Sequence, residues 1–170
     1  MNKTDKESIK WANSDIDIYY QFLQTHNPTA YTLSAVYSHE GDADEFSNFD
    51  AIQIKRYPNS YNLTMSLIEL KGRYKDLNTI DTAIIDLHKV QDLQQYAKEN
   101  NMKAFIVNIW KKNDNKITIH EIDVNKDYSK EIDTFKNINW QTAGTVIKAK
   151  QKPMVHFPLK GIKIYDWQKK

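Results

Sequence analysis

The stretch Ser66-Leu67-Ile68-Glu69-Leu70-Lys71-Gly72-Arg73 decides how this chain is interpreted. Its apolar first half is typical of a strand that enters a core, and residues two apart on a strand point to the same side. Glu69 and Lys71 are therefore expected to share one face of a sheet.

A second carboxylate, Asp50, lies on the strand that we predict just before this one. The segment 49–54 has strand character, 57–60 is a turn signal and 61–71 is the partner strand. Folding this hairpin at its turn puts Asp50 opposite residues 67–69, and a shift of one residue would reverse the faces. In the predicted register, two carboxylates and one ammonium group meet at one point. Such a set can hold a hard divalent cation and orient a water molecule, which is the chemistry of metal-assisted phosphodiester hydrolysis.

The elements around this hairpin predict an α/β sandwich with a mixed sheet. Helices are predicted over 14–26, with Ser14 as the cap and Asn27-Pro28 as the stop, and from Asp81 or Thr82 to about Asn100. The apolar stripe of the second helix is Ala83, Leu87, Val90, Leu93 and Ala97. Further strands are predicted over 31–38, 103–110 and 116–124, with an edge strand inside 146–159 limited by Pro153 and Pro158. The run 103–110 is nearly all apolar, which is typical of a central strand buried on both faces.

Bulk composition excludes several classes of protein. A chain of 170 residues predicts a single domain, 1–170, and the absence of cysteine excludes disulfides and a cysteine nucleophile. No apolar run approaches the ~18 residues of a membrane span, and the N-terminus lacks a signal-peptide core. A cytoplasmic protein without membrane contact is therefore expected. The sequence has no glycine-rich phosphate loop and no Gly-x-Ser-x-Gly motif, which argues against P-loop and serine hydrolases.

Charge is distributed unevenly along the chain. Residues 1–145 carry a net charge of −4, whereas residues 146–170 carry +6. The lysines at the start of this basic C-terminal extension are Lys148, Lys150 and Lys152. A polyanion would be attracted to this end, so these three lysines are candidates for nucleic-acid binding. The alternative is that a lysine-rich end only aids solubility.

The order of elements, with Asp50, Glu69 and Lys71 placed on them, resembles the PD-(D/E)XK nuclease superfamily over residues 14–124. The resemblance implies the restriction-endonuclease-like fold, a three-layer sandwich in which helices flank a mixed central sheet. It implies that Asp50, Glu69 and the carbonyl of Leu70 are ligands of Mg²⁺ or Mn²⁺. Lys71 would then position or activate the attacking water.

The same resemblance extends to two further basic residues. Some members of the family carry a basic residue on the following helix, and Lys89 is similar to that placement as a fourth catalytic candidate. Arg73 is placed to contact phosphate or to pair with an acid. Two ordinary alternatives stay open: Lys89 forms a helical ion pair with Asp86, and Arg73 only caps the loop after its strand.

The sequence departs from the family pattern at three points. Phe49 precedes Asp50 where many members have proline, and Gln91 and Tyr96 do not have the Gln-x-x-x-Tyr spacing of the exonuclease branch. An acidic residue on the first helix is common in the family. The candidates for it here are Asp15, Asp17, Glu40 and Glu45, and the sequence does not choose among them.

The function expected from these residues is a Mg²⁺- or Mn²⁺-dependent nuclease that hydrolyses phosphodiester bonds in DNA, with a homodimer plausible for double-strand cleavage. One alternative is a catalytically inactive protein on the same fold that binds nucleic acid or a protein partner. Another is a small α/β protein with no nucleic-acid role, in which Glu-x-Lys is only a solvent-facing charge pair.

Overall fold

A computed structural model of the chain describes residues 3–26, 31–36, 49–56, 63–134, 140–142, 145–147 and 153–168. The helices are α1 (Lys3–His26) and α2 (Leu87–Glu99). The strands are β1 (Tyr31–Val36), β2 (Ala51–Arg56), β3 (Leu63–Arg73), β4 (Thr82–Asp86), β5 (Lys103–Trp110), β6 (Lys116–Ile122), β7 (Ile132–Thr134), β8 (Trp140–Thr142), β9 (Thr145–Ile147), β10 (Pro153–Pro158) and β11 (Ile164–Tyr165).

The larger sheet has the strand order β1-β2-β3-β5-β6-β11. Strands β3 and β5 are parallel, whereas the other neighbours are antiparallel, so the sheet is mixed as predicted. Strand β5 lies between β3 and β6 and is buried over most of its length, which confirms the prediction from its apolar sequence. Because β5 is buried on both faces, the side chains of β3 beside it lie in the interior of the fold.

Different elements cover the two faces of this sheet. Helix α1 covers one face, where Phe22 belongs to the same buried cluster as Ile68 of β3. On the other face, Leu67 of β3 belongs to a cluster with Val90 of α2 and Val155 of β10. Strand β10 is part of a second sheet with the order β4-β10-β7, while β8 and β9 form a separate antiparallel pair. The α/β class with a mixed sheet and flanking helices is thus confirmed.

The predicted start of the second helix is wrong, because residues 82–86 form strand β4. Their side chains alternate between half-buried and buried, as a period of two requires, and Ala83 belongs to this strand instead of the helical stripe. Helix α2 begins at Leu87, and Oδ1 of Asp86 accepts a hydrogen bond of 3.0 Å from the amide of His88. Asp86 is therefore the N-cap, since its carboxylate satisfies a free amide of the first turn. The other four residues of the predicted stripe are buried as expected.

Helix α1 also differs from its predicted start. It begins at Lys3 instead of Ser14, because the segment before Ser14 contains no glycine or proline that would stop a helix. Its end at His26 is confirmed.

The strands β2 and β3 form the predicted hairpin, each displaced by two residues toward the C-terminus. Strand β6 ends at Ile122, two residues before its predicted end. The predicted turn 57–60 and the predicted end of β1 at 37–38 lie outside the described residues.

The prediction of an edge strand within 146–159 is wrong in its position. Strand β10 is the middle strand of the second sheet and pairs with both β4 and β7. Pro153 and Pro158 occupy its two ends, so residues 154–157 between them retain the amides that a central strand needs. Phe157 and Val155 are buried in the core, which shows that this part of the basic C-terminal extension packs into the fold.

Gly72 of β3 faces α1 at a point where a side chain has little room. A Cβ atom at this position would lie 2.8 Å from Oδ2 of Asp15, whose other oxygen pairs with Lys111 Nζ at 2.5 Å. We expect Gly72→Ala to lower the free energy of unfolding by about 1 kcal/mol, because the Asp15 carboxylate has to move. Urea denaturation measures this loss. Combining the change with Asp15→Ala should cost less than the sum of the two single substitutions, and strict additivity would contradict this explanation.

Candidate functional site

The side chains of Glu69 and Lys71 lie on the same face of β3, as the sequence predicts. Lys71 Nζ lies 2.5 Å from Glu69 Oε1. The Glu69 side chain is only 1% exposed, whereas Lys71 is 36% exposed. A buried carboxylate is therefore paired with an ammonium group that reaches solvent.

Asp50 lies immediately before β2 and next to this pair. Ala51 is paired with Ile68 in the hairpin, so the extended register puts Asp50 opposite Glu69. The amide of Asp50 donates to the carbonyl of Ile68 at 3.0 Å, and its Oδ2 accepts from the amide of Leu70 at 2.7 Å. The backbone of β3 thus holds the Asp50 carboxylate beside the residue between Glu69 and Lys71.

Helix α2 brings a second ammonium group to Glu69. Lys89 lies in the first turn after the Asp86 cap, and its Nζ lies 3.1 Å from Glu69 Oε2. The Lys89 side chain is 25% exposed, so it lies at the edge of the core rather than in open solvent. The structure therefore brings together the four residues that the sequence proposes as catalytic: Asp50, Glu69, Lys71 and Lys89.

Burial and neighbouring charges act in opposite directions on Glu69. Burial raises the pKa of its carboxyl group, and the negative charge of Asp50 raises it further. The ammonium groups of Lys71 and Lys89 lower it, but they do not cancel the effect of burial. Ionising Glu69 therefore costs more free energy in this site than it does in water.

Two substitutions of Asp50 distinguish the contribution of its hydrogen bond to stability from that of its charge. Asp50→Ala removes the acceptor of the Leu70 amide, and we expect a loss of about 2 kcal/mol in the free energy of unfolding, which is typical of a hydrogen bond to a charged group. Asp50→Asn keeps an acceptor oxygen and should cost less than about 0.5 kcal/mol. Urea denaturation of both variants checks this expectation, and equal losses would show that the bond to Leu70 contributes little.

Arg73 lies on the same side of β3, but inside the fold. Its Nε donates to Oδ1 of Asn108 at 2.8 Å, and its NH2 group donates to the carbonyl of Ile84 at 2.9 Å. Burial lowers the pKa of Arg73 to about 10, so the group stays charged at neutral pH. Phosphate contact by Arg73 stays a prediction that this placement does not favour.

The remaining predicted site residues divide into two groups. The backbone amide of Leu70 binds Asp50, while coordination by its carbonyl stays a prediction. Lys148, Lys150 and Lys152 lie outside the described residues.

Among the acidic candidates of the first helix, Asp15 pairs with Lys111 and lies at Gly72, which faces α1 rather than α2. Asp17 is exposed. Glu40 and Glu45 lie outside the described residues. No member of this set is therefore placed beside Glu69 by the described part of the chain.

Sequence reasoning missed a buried polar row behind the site. Asn108 and Thr118 are fully buried on the face of the sheet that carries Glu69, and the His120 ring is nearly so. Burial and the charge of Arg73 lower the pKa of His120 to about 4, so its ring is neutral at physiological pH. The signal that could have found this row is Asn108, the single polar residue within the segment 104–110.

The described residues contain no group of three or more histidine, aspartate or glutamate side chains that could hold a metal ion. The site at Glu69 contains two carboxylates, those of Glu69 and Asp50, which is a smaller set of protein ligands. Magnesium often retains several waters and takes only one or two carboxylates from a protein.

No protein-family model matches this sequence, and a search of curated proteins gives no match either. Neither α1 nor α2, the helices that the structure describes, combines the length and apolarity of a membrane-crossing helix. The chemistry of the site is therefore the basis on which a function can be inferred for this chain.

Proposed function

We propose that this chain is a metal-dependent nuclease of the restriction-endonuclease-like fold, which hydrolyses phosphodiester bonds in DNA with Mg²⁺ or Mn²⁺. The observation that carries the proposal is the buried Glu69 carboxylate, which lies beside the Asp50 carboxylate and contacts the ammonium groups of Lys71 and Lys89. A buried acid with a raised pKa and convergent charged partners is a candidate for a functional site.

The residues present fit a divalent cation. Within the described residues, Glu69 Oε2 is buried and accepts no hydrogen bond, although Lys89 Nζ lies 3.1 Å away. A cation could bind this oxygen in competition with Lys89, and Asp50 supplies a second carboxylate. Asp50, Glu69 and the carbonyl of Leu70 would hold the ion, and hard oxygen ligands are those that Mg²⁺ and Mn²⁺ prefer. When bound, the ion would polarise the scissile phosphate and lower the pKa of a coordinated water.

The two lysines have separate roles in this proposal. Lys71 reaches solvent, so its ammonium group can turn from Glu69 toward a phosphate, orient the attacking water and counter the charge that develops. Lys89 is less exposed and stays against Glu69, where it keeps the carboxylate in place. The lysines of the C-terminal extension would bind the phosphate backbone without reading sequence. Cleavage of both strands of a duplex would require a homodimer or successive cuts.

A cleavage assay tests the proposal. Plasmid and single-stranded DNA are incubated with the protein in Mg²⁺, Mn²⁺ or EDTA, beside Glu69→Ala and Lys71→Ala. Lys103→Ala is the matched control, because Lys103 also pairs with a glutamate, Glu121 at 2.7 Å, but at an exposed position. We expect metal-dependent cleavage by the wild type and the control, and none by the two site variants.

The assay also separates the alternatives. Salt-sensitive DNA binding without cleavage under any metal condition would overturn the enzymatic proposal and favour a catalytically inactive protein that binds nucleic acid. Absence of both binding and cleavage at low salt would exclude a role on DNA.

A further inference from the structure

A row of hydrogen bonds crosses the α2-facing side of the larger sheet behind Glu69. Arg73 Nε donates to Asn108 Oδ1 at 2.8 Å, and Asn108 Nδ2 lies 3.4 Å from Thr118 Oγ1. Trp110 Nε1 donates to the same hydroxyl oxygen at 3.1 Å. Asn108, Thr118 and Trp110 are fully buried, so the row fixes the rotamer of each of its members.

Arg73 connects this row to the strand that leads into α2. Its NH2 group donates to the carbonyl of Ile84 at 2.9 Å, in the middle of β4. Two residues later Asp86 caps α2, and Lys89 follows in the first turn. A bond that fixes Ile84 against the larger sheet therefore also fixes where Lys89 meets Glu69.

A contribution to the stability of the fold is by itself a weak reason for a charged residue at position 73. Arg73 is largely buried and spans two strands, and within the described residues its acceptors are neutral. Packed apolar side chains commonly stabilise a core at least as well as a buried charge does. Buried polar groups are best explained where they select one arrangement of neighbouring elements. Glu69 is a nearby acid, and its charge partly restores the pKa of Arg73 against burial.

We propose that Arg73 is a positioning residue for the Glu69 site: its two hydrogen bonds hold β4, and through it the start of α2, so that Lys89 lies over the buried carboxylate. This inference rests on the proposed function, because it gives the placement of Lys89 a purpose in cation binding. It replaces the phosphate contact that the sequence suggested for Arg73.

The test compares Mn²⁺ affinity, measured by titration calorimetry, in wild type, Arg73→Lys, Arg73→Met and Asn108→Ala, at a temperature at which circular dichroism shows each variant to be folded. Ile85→Val is the control, because it loosens the packing of β4 but leaves the bond to the Ile84 carbonyl intact.

We expect Arg73→Met to bind Mn²⁺ about tenfold more weakly, which is the lower range for residues that orient metal ligands. Arg73→Lys, which keeps the charge but not the fork of two donors, should lie between Arg73→Met and the wild type. Asn108→Ala should bind Mn²⁺ about threefold more weakly than the wild type, because it removes the acceptor of only one of the two Arg73 donors. On a free-energy scale this is about half of the tenfold effect of Arg73→Met.

The outcomes separate this inference from the function on which it rests. If the wild type binds no Mn²⁺ and cleaves no DNA, the proposed function fails. If the wild type binds and Arg73→Met binds within twofold of it, the role of Arg73 is refuted and the function stands. Equal weakening in Ile85→Val would also refute it, since general loosening of β4 would then be sufficient. Should Arg73→Met not fold, Arg73→Lys and Asn108→Ala decide the question in the same way.

Discussion

Glu69→Gln is expected to abolish DNA cleavage, by at least about a hundredfold, while making the protein more stable at neutral pH. Cleavage is lost because a neutral amide cannot replace a carboxylate as a ligand for Mg²⁺ or Mn²⁺. Stability rises because the substitution removes a buried charge that the fold only partly compensates.

The loss of partners for the two lysines does not reverse this expectation. Removing one member of a buried ion pair is costly when the remaining charge stays buried. Lys71 and Lys89 are 36% and 25% exposed, so both ammonium groups can turn to water when Glu69 is neutral. The amide oxygen of glutamine can still accept a hydrogen bond from one of them.

The difference in free energy of unfolding between the wild type and Glu69→Gln should depend on pH, and this dependence identifies Glu69 as its source. Because the pKa of Glu69 is higher in the folded state, the native protein binds more protons than the unfolded chain between the ordinary value of 4.5 and the raised value. Stability of the wild type relative to Glu69→Gln therefore falls as pH rises through that window and then stays constant. Urea denaturation of both proteins from pH 4.5 to 8 measures it. A difference that does not change with pH would contradict the assignment.

The sequence was sufficient to predict those parts of the site that depend on strand alternation and hairpin register. Glu69 and Lys71 share a face because a strand has a period of two, and Asp50 lies opposite Glu69 because β2 and β3 pair in a register within the range that the sequence predicts. The side of the sheet on which they lie could not be predicted, because β3 is apolar on both faces. In the structure, Leu67 packs against α2 and β10, so Glu69 and Lys71, which share its face of β3, lie on that side of the sheet.

The errors of prediction have a common physical cause, which is long-range pairing. Residues 82–86 become a strand because β10, about 70 residues later, supplies hydrogen bonds to them. Propensity within a short window cannot reveal such a partner. The placement of Arg73 depends on the same strand, since one of its two acceptors is the carbonyl of Ile84. This placement was therefore missed together with strand β4.

Lys71→Met and Lys89→Met are expected to separate catalysis from cation binding. Both substitutions remove an ammonium group from Glu69 and leave an unbranched apolar side chain of similar length, so their effects on packing are matched. We expect Lys71→Met to lower the rate of cleavage by about a hundredfold or more, and Lys89→Met by about tenfold. The difference follows from exposure, because Lys71 reaches the solvent from which a phosphate arrives, whereas Lys89 remains against the carboxylate.

Lys71→Met should not weaken the binding of Mn²⁺, because the Lys71 ammonium group competes with a cation for the oxygen atoms of Glu69 and its removal ends that competition. Lys89→Met should weaken Mn²⁺ binding by about tenfold, because Lys89 keeps the buried carboxylate in place. Titration calorimetry measures the affinity, and single-turnover cleavage at saturating Mn²⁺ measures the rate. Lys103→Met controls for the loss of one positive charge. If Lys71→Met cleaves DNA as fast as this control at saturating Mn²⁺, Lys71 takes no part in the reaction. If it loses activity only through weaker Mn²⁺ binding, Lys71 maintains the site and does not act on the water.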